Sequence, residues 1–222
     1  MQSQGGPLLP VRDRGRDMRD NLGRGLPNAR LRRFMLGVQE VMGRSGLTTI
    51  LRQAGLAHYV GILPPHNYQT SLHTLEYTAI IQAIENYYGR GARGTLTRIG
   101  HAAFGQLRQS QKFKARLYRL AFRFLPVQQR KLMALRWLAQ EMALPGGQVT
   151  VHLDDRHIAF VDRESDTTFG RTRDAEICWL TVGEIQEALK WATGTEYDVT
   201  EMSCKAKGDP ACRFDIGEAL IG

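Results

Sequence analysis

Apolar residues recur every three or four positions from residue 28 to residue 142, which predicts a series of amphipathic helices. Asn28 is a favoured N-cap residue, and glycines at 43 and 46 break the first run. We expect helices at about 28–42, 47–57, 68–88, 93–109, 111–124 and 127–142. Pro145-Gly146-Gly147 ends the helical part of the chain.

After residue 147 the period of the apolar residues changes from helical to two, which is typical of strands. A hairpin is predicted from Val149–Leu153 and Ile158–Val161, and residues 162–175 read as a long polar loop. The remaining elements are a strand-like stretch at 177–180, a helix at about 182–192 ended by Gly194, and strands at about 197–204 and 212–216.

Helices followed by an antiparallel sheet predict an α+β fold, with several N-terminal helices packed on a small sheet. We expect one domain over residues 28–222, with a helical part at 28–145 and a sheet part at 146–217. Residues 1–27 are rich in Gly, Pro and Arg and predict a flexible basic arm. No run approaches the ~20 apolar residues that a membrane-spanning helix needs, and we expect no signal peptide and a cytoplasmic protein.

Charge is distributed unevenly along the chain. Residues 1–142 hold 22 Lys/Arg and 7 Asp/Glu, and no acidic residue occurs between Asn86 and Gln140. The basic helices at 90–136 suit a protein partner, an anionic membrane or simple solvation, and no DNA-binding motif is present. In helix 111–124 one face is apolar, which predicts a lid on the core or contact with an anionic membrane. That face comprises Phe113, Leu117, Leu120, Ala121 and Phe124.

The candidate chemistry lies near the C-terminus, in Cys178, Glu201, Cys204 and Cys212. Gly208-Asp209-Pro210 favours a hairpin that places the last two thiols on one face. Three thiolates and a carboxylate make a tetrahedral zinc site. The alternative from spacing alone is three buried cysteines that act as small apolar residues; the odd count disfavours a structural disulfide.

Signatures of common enzyme sites are missing from the sequence. The six histidines form no HxH or HExxH pair, and neither a GxSxG elbow nor a P-loop occurs. The glycines at 89, 91 and 94 match a dinucleotide fingerprint in letters, but a helix pattern precedes them where a strand is required. These observations favour a binding protein over an enzyme.

The run from Glu201 to Ile216 (EMSCKAKGDPACRFDI) resembles the C-terminal signature of the 4-vinyl reductase domain family. Cys178-Trp179, the stretch Gly183–Gly194 and the segment Val41–Leu47 are also similar to that family. The resemblance implies zinc at Cys178, Glu201, Cys204 and Cys212, as in the related sensory domains of phenol-responsive transcription activators. It also implies the fold shared with Golgi tethering subunits and heme-based nitric-oxide sensors, a ligand-binding fold with an apolar pocket. The heme-holding Tyr-x-Ser-x-Arg motif of those sensors is missing from the sequence, so we expect no heme.

The expected function is a zinc-stabilised domain that binds a small hydrophobic or aromatic ligand, as a sensor or carrier. We expect a structural zinc ion and, from the resemblance, a homodimer. The candidate pocket residues are aromatic or histidine side chains: Phe104, Phe113, Tyr118, Phe122, Trp137, His157 and Trp179. The alternatives are a role in bacteriochlorophyll vinyl-group reduction, as enzyme or accessory, and a protein or membrane assembly module.

Overall fold

A computed structural model describes residues 22–143, 146–154 and 157–220, and it contains six helices within those ranges. The helices are α1 (Asn28–Gln53), α2 (Thr74–Tyr88), α3 (Ala92–Ser110), α4 (Lys112–Phe122), α5 (Val127–Met142) and α6 (Trp179–Thr193). Gly43 has φ 75° and ψ 173°, so α1 is kinked where the sequence predicts a break. Short 3₁₀ turns lie at Ala57–Tyr59, Gly89–Gly91 and Lys205–Lys207. The turn at Gly89–Gly91 follows α2 directly, so a helix and not a strand precedes these glycines, as the sequence pattern indicated.

The strands form two antiparallel sheets. They are β1 (Gly25–Pro27), β2 (Thr70–His73), β3 (Val149–Asp154), β4 (His157–Asp162), β5 (Tyr197–Ser203) and β6 (Cys212–Ala219). The first two pair with each other, and the other four form a sheet in the order β3-β4-β6-β5. This helix-then-sheet arrangement confirms the predicted α+β fold.

Two buried apolar clusters hold the described residues together. The first joins α1, α2 and the start of α3, around side chains such as Phe34 and Tyr77. The second joins α5 and α6 to the four-stranded sheet, around Trp137, Phe160 and Phe214. All three cysteines and the helix α6 that follows Cys178 belong to this second cluster.

Four predicted features differ in the structure. The helix predicted from residue 68 begins at Thr74, because Thr70–His73 pair with Gly25–Pro27 instead. For the same reason residues 25–27 of the predicted arm belong to the fold, whereas residues 1–21 lie outside the described residues. The strand-like stretch at 177–180 is no strand, since α6 begins at Trp179.

The fourth difference concerns the polar loop before α6. Ser165, Asp166, Thr167 and Thr168 are buried although the sequence reads as a solvated loop. Arg24 and Arg30 both form ion pairs with Asp166, and these pairs attach the loop to the N-terminal segment. A buried polar segment of this kind is stable only because its polar groups are paired.

Helices α3 and α6 cross with their backbones in contact. A Cβ atom added at Gly100 would lie 2.2 Å from the carbonyl oxygen of Leu180, and one at Gly183 would lie 2.1 Å from that of Thr97. Both distances are far below van der Waals contact, so only glycine fits at the two positions. This close crossing fixes the start of α6 and therefore the position of Cys178.

We expect Gly100→Ala to lower the free energy of unfolding by about 1–3 kcal/mol, because the methyl group forces α3 and α6 apart. Gly105 lies on the same helix, and a Cβ there meets no atom within 4 Å. Gly105→Ala is therefore the matched control, with an expected gain of up to about 1 kcal/mol from helix propensity. Urea denaturation measures both; a stabilising Gly100→Ala would contradict the close crossing.

Candidate metal centre

The hairpin β5–β6 and the start of α6 bring the four predicted donors together. Glu201 lies in β5, Cys204 follows that strand directly, and Cys212 begins β6. Gly208 has φ 98° in the connecting turn, a conformation that glycine adopts without strain, and this confirms the predicted hairpin. Cys178 is the N-cap residue of α6 rather than part of a strand.

One ligand atom from each of the four residues lies within 4.8 Å of the other three. The Sγ atom of Cys178 is 3.9 Å from that of Cys204 and 3.6 Å from that of Cys212. Two sulfurs bound tetrahedrally to one zinc ion at about 2.3 Å are roughly 3.8 Å apart. A disulfide needs about 2.05 Å, so the sulfurs are spaced for a shared cation and are free thiols.

The pKa values of the donors also favour a bound cation in the site. Burial, followed by the hydrogen bonds with Cys204 and Cys212, raises the pKa of Cys178 well above its ordinary value. Hydrogen bonds with Cys178 and Cys212 lower the pKa of Cys204. Burial raises the pKa of Glu201 to about 8. Burial thus opposes ionisation of the cluster as a whole, and a bound cation would favour the ionised form of all four donors.

Hydrogen bonds from the surrounding chain orient the donors. The backbone N–H of Cys178 donates to Oε2 of Glu201 at 2.9 Å, and the hydroxyl of Thr167 donates to Sγ of Cys178 at 3.2 Å. The backbone N–H of Lys205 donates to Sγ of Cys212 at 3.4 Å. The other carboxylate oxygen of Glu201, Oε1, is buried without a hydrogen-bond partner. That orphaned oxygen fits a metal ligand, and the donor set fits zinc.

Thr167 is a site residue that sequence reasoning missed. It belongs to the buried polar loop, next to Asp166, and reaches the centre from eleven positions before Cys178. The Ser-Asp-Thr-Thr run at 165–168 is an ordinary loop composition, so the sequence carries no signal for this contact.

A cleft of about 640 Å³ opens beside the metal centre, between α3, α6 and β5. Glu201 lines it together with Trp179 and Val182 of α6, and charged side chains also line it: Arg90, Arg93, Glu176 and Asp198. The guanidinium carbon of Arg93 lies over the Trp179 ring, 4.4 Å from its centroid, a cation–π distance. The volume lies within the roughly 300–1,000 Å³ of small-molecule pockets.

The structure separates the seven predicted pocket residues. Phe104, Tyr118, Phe122 and Trp137 lie together in the second apolar cluster, and Trp179 lines the cleft beside Glu201. Phe113 is exposed on α4 and His157 is exposed at the start of β4, so neither joins the other residues. Their assignment to the pocket stays a prediction from sequence, since an apolar period such as that of α4 does not reveal which side of an element packs inward.

Trp191 completes the aromatic cluster, although sequence reasoning did not select it. Its ring centroid lies 5.0 Å from that of Phe122 and 5.4 Å from that of Trp137. The Trp191 ring meets that of Phe122 edge to face and that of Trp137 at a tilt, and the indole N–H of Trp137 is buried without an acceptor. The cluster thus has one unused polar atom, and Trp191 also lines a cleft of about 310 Å³ beside α4.

No protein-family model matches the chain, and no curated protein matches it. Among solved structures, an H-NOX protein from S. oneidensis in the Fe(II)NO state aligns with 88% of this chain and 100% of its own, at 11% identity and a TM-score of 0.57. An oxygen-binding H-NOX domain related to soluble guanylate cyclases covers 83% of this chain and 89% of its own, at 12% identity and a TM-score of 0.52. These similarities show that the chain has an H-NOX-like fold.

The phenol-responsive sensory domain of the transcription activator PoxR, solved with phenol, covers 67% of this chain and 76% of its own at 21% identity. Its TM-score of 0.48 is too low to support an inference. Since no family is shown by these matches, the resemblance to the 4-vinyl reductase domain family stays a prediction from sequence.

The residues of this chain do not fit the heme of H-NOX proteins. His101 of α3 is half-buried, and its Nε2 lies 3.1 Å from the side-chain oxygen of Gln186. The cleft lined by His101 has a volume of about 120 Å³, below the roughly 300 Å³ at which small-molecule pockets begin. The cleft at His101 is therefore too small to hold heme.

Proposed function

We propose that this chain is a zinc-stabilised domain that binds a small hydrophobic or aromatic molecule, as a sensor or a carrier. One observation carries the proposal: the buried four-donor cluster shares Glu201 with the cleft of about 640 Å³. Cys178, Glu201, Cys204 and Cys212 would hold the zinc ion. Four protein ligands leave no position open for water, so the metal would act in structure rather than in catalysis.

The shared Glu201 suggests how a ligand would be sensed. A carboxylate is a harder and weaker zinc ligand than a thiolate, and among the four donors Glu201 alone lines the cleft. A molecule in the cleft beside Trp179 and Arg93 would contact β5 at Glu201. A ligand in the cleft would thereby change how strongly the metal stabilises the β5–β6 hairpin.

Two measurements test the two parts of this proposal. Native and denaturing mass spectra of the purified protein should differ by one zinc ion per chain, plus the mass of any co-purified ligand. Calorimetric titration with 1-naphthol, an apolar ring system with one hydroxyl, should show binding that Trp179→Ala weakens by about tenfold or more at unchanged zinc content.

Trp137→Phe is the matched control, since it removes the unpartnered indole N–H of the aromatic cluster and leaves the cleft intact. It should bind 1-naphthol like the unmodified protein. If Trp137→Phe weakens binding and Trp179→Ala does not, the ligand occupies the aromatic cluster and the assignment to the cleft is wrong.

The sequence alone supports the remaining expectations. These are membership of the 4-vinyl reductase domain family, a homodimer and a cytoplasmic location. A role in bacteriochlorophyll vinyl-group reduction would require an electron donor, which a visible absorbance of the purified protein would reveal. No contact at the metal centre favours that role or an assembly role over ligand binding.

A further inference from the structure

Helix α4 is apolar on two opposite sides, and only one of them packs against the protein. Phe122 is buried in the second apolar cluster, and Ala115 and Tyr118 pack against it. The opposite side exposes a row of large apolar residues: Phe113 (77% exposed), Leu117 (51%), Leu120 (55%) and, just past the end of the helix, Phe124 (82%). The apolar face of α4 that could have covered the core therefore faces the solvent instead.

An apolar row on this scale is unusual for a surface helix. Residues at spacings of three and four share one side of a helix, so the four side chains form a continuous stripe. A helix with apolar residues on two opposite sides is most stable when both of those sides are buried. The exposed stripe consequently marks a surface that contacts something other than water.

A second row runs beside the stripe and carries only positive charge. Lys112, Arg116, Arg119 and Arg123 each precede one residue of the stripe, so they lie along one flank of the helix at the same spacing. In the part of the chain that the structure describes, none of the four forms an ion pair with a carboxylate. Lys112, Arg116 and Arg119 instead line an open cleft of about 310 Å³ together with Arg108.

Two carboxylates on the neighbouring helices α5 and α6 are engaged with other residues. Glu187 of α6 accepts from Arg108 at 3.2 Å, and Glu141 of α5 accepts from Gln111 and Arg33. No acidic residue occurs between Asn86 and Gln140, so a second copy docked through its own α4 would bring no carboxylate from this segment to the cationic row. An anionic bilayer offers both an apolar interior and negative phosphates at one surface.

We propose that α4 lies in the interface of an anionic lipid bilayer, with the Phe113–Phe124 stripe inserted among the acyl chains and the four cations on lipid phosphates. The long Lys and Arg side chains extend from the flank of the helix toward the headgroups. Among the described residues no helix is long and apolar enough to cross a membrane, and the inferred contact is one of an in-plane helix. This surface is separate from the cleft at Glu201.

Sedimentation with vesicles tests the proposal. Vesicles of phosphatidylcholine with about one-third phosphatidylserine should bind the full chain, and pure phosphatidylcholine should bind it at least about tenfold more weakly. Salt at about 0.5 M should weaken the binding to anionic vesicles, since it screens the cationic row. Phe113→Ser/Phe124→Ser should lower binding by about tenfold or more, without loss of thermal stability, because both rings are exposed.

Ile62→Ser is the matched control, since Ile62 is 62% exposed and lies far along the chain, before β2. It should bind vesicles like the unmodified protein. Equal binding of Phe113→Ser/Phe124→Ser, or no preference for phosphatidylserine, would overturn the proposal. So would a protein that ignores vesicles and changes from dimer to monomer in Phe113→Ser/Phe124→Ser, because the stripe would then be an interface between copies.

Discussion

Cys212→Ser is expected to abolish the proposed zinc site and to destabilise the domain by at least about 5 kcal/mol. Structural zinc contributes roughly 10–16 kcal/mol of apparent binding free energy at pH 7, whereas whole domains are stable by only about 5–15 kcal/mol. The substitution leaves two buried thiols and a buried carboxylate without a cation. Removal of zinc from the unmodified protein by a chelator should have a similar effect.

The change should begin at the C-terminal hairpin. Cys204 and Cys212 lie at the two ends of the β5–β6 turn. A bound metal would link both of them to Cys178 at the start of α6. The N-terminal apolar cluster of α1, α2 and α3 contains no metal donor. Hydrogen exchange should therefore increase first in residues 197–219, while α1 and α2 stay protected for longer.

Ser203→Ala is the matched control for this hairpin. The hydroxyl of Ser203 donates to the carbonyl oxygen of Ala211 at 2.9 Å, across the same turn, but is not a donor of the cluster. Its loss should cost about 1 kcal/mol and leave zinc bound. Native mass spectra and urea denaturation, both under reducing conditions, distinguish the variants. A native mass equal to the bare chain, or a Cys212→Ser protein with unchanged zinc and stability, would contradict the metal assignment.

Local sequence determined the hairpin and the helix breaks, which is why they were predictable. Gly208 and Gly43 both have positive φ, at a turn and at a kink. These conformations depend on the residue itself and its neighbours, so spacing and glycine position were sufficient to predict them. Cys204 and Cys212 could be placed opposite each other on the same grounds.

Contacts between distant segments decided the features that were missed. The start of α2 depends on the pairing of Thr70–His73 with Gly25–Pro27, and the buried loop depends on arginines more than 130 positions away. The orientation of α4 follows from which of its two apolar sides meets Trp137 and Trp191. A one-dimensional period records that both sides are apolar but contains no information on which side is covered.

Asp166→Ala is the second substitution with a large expected effect, a loss of about 3–5 kcal/mol. Asp166 is 1% exposed, and its Oδ2 lies 2.9 Å from Nη1 of Arg30, which is itself buried. Burial alone pushes the pKa of Arg30 down, but the Asp166 carboxylate raises it above its ordinary value, so the guanidinium stays charged. Without Asp166 a charged side chain would remain inside the protein with its main counterion removed.

Asp166→Ala should also weaken metal binding, so the prediction is not limited to stability. Thr167 follows Asp166 directly and donates to Sγ of Cys178, so release of the loop removes an orienting hydrogen bond from a zinc donor. Asp166→Ala should therefore bind zinc about 10–100-fold more weakly, as measured by competition with a chromogenic chelator. Glu196→Gln breaks the exposed pair with Lys190 instead and should change neither stability nor zinc affinity measurably.

A double variant separates the buried charge from other effects of the substitution. Arg30→Met/Asp166→Ala removes both charges of the pair, and apolar replacement of both partners is often tolerated where removal of one is not. It should recover a large part of the stability that Asp166→Ala alone loses in urea denaturation. If the double variant is instead less stable than Asp166→Ala, then the hydrogen bond from Arg30 to the carbonyl oxygen of Met142, at 2.9 Å, contributes more than the ion pair.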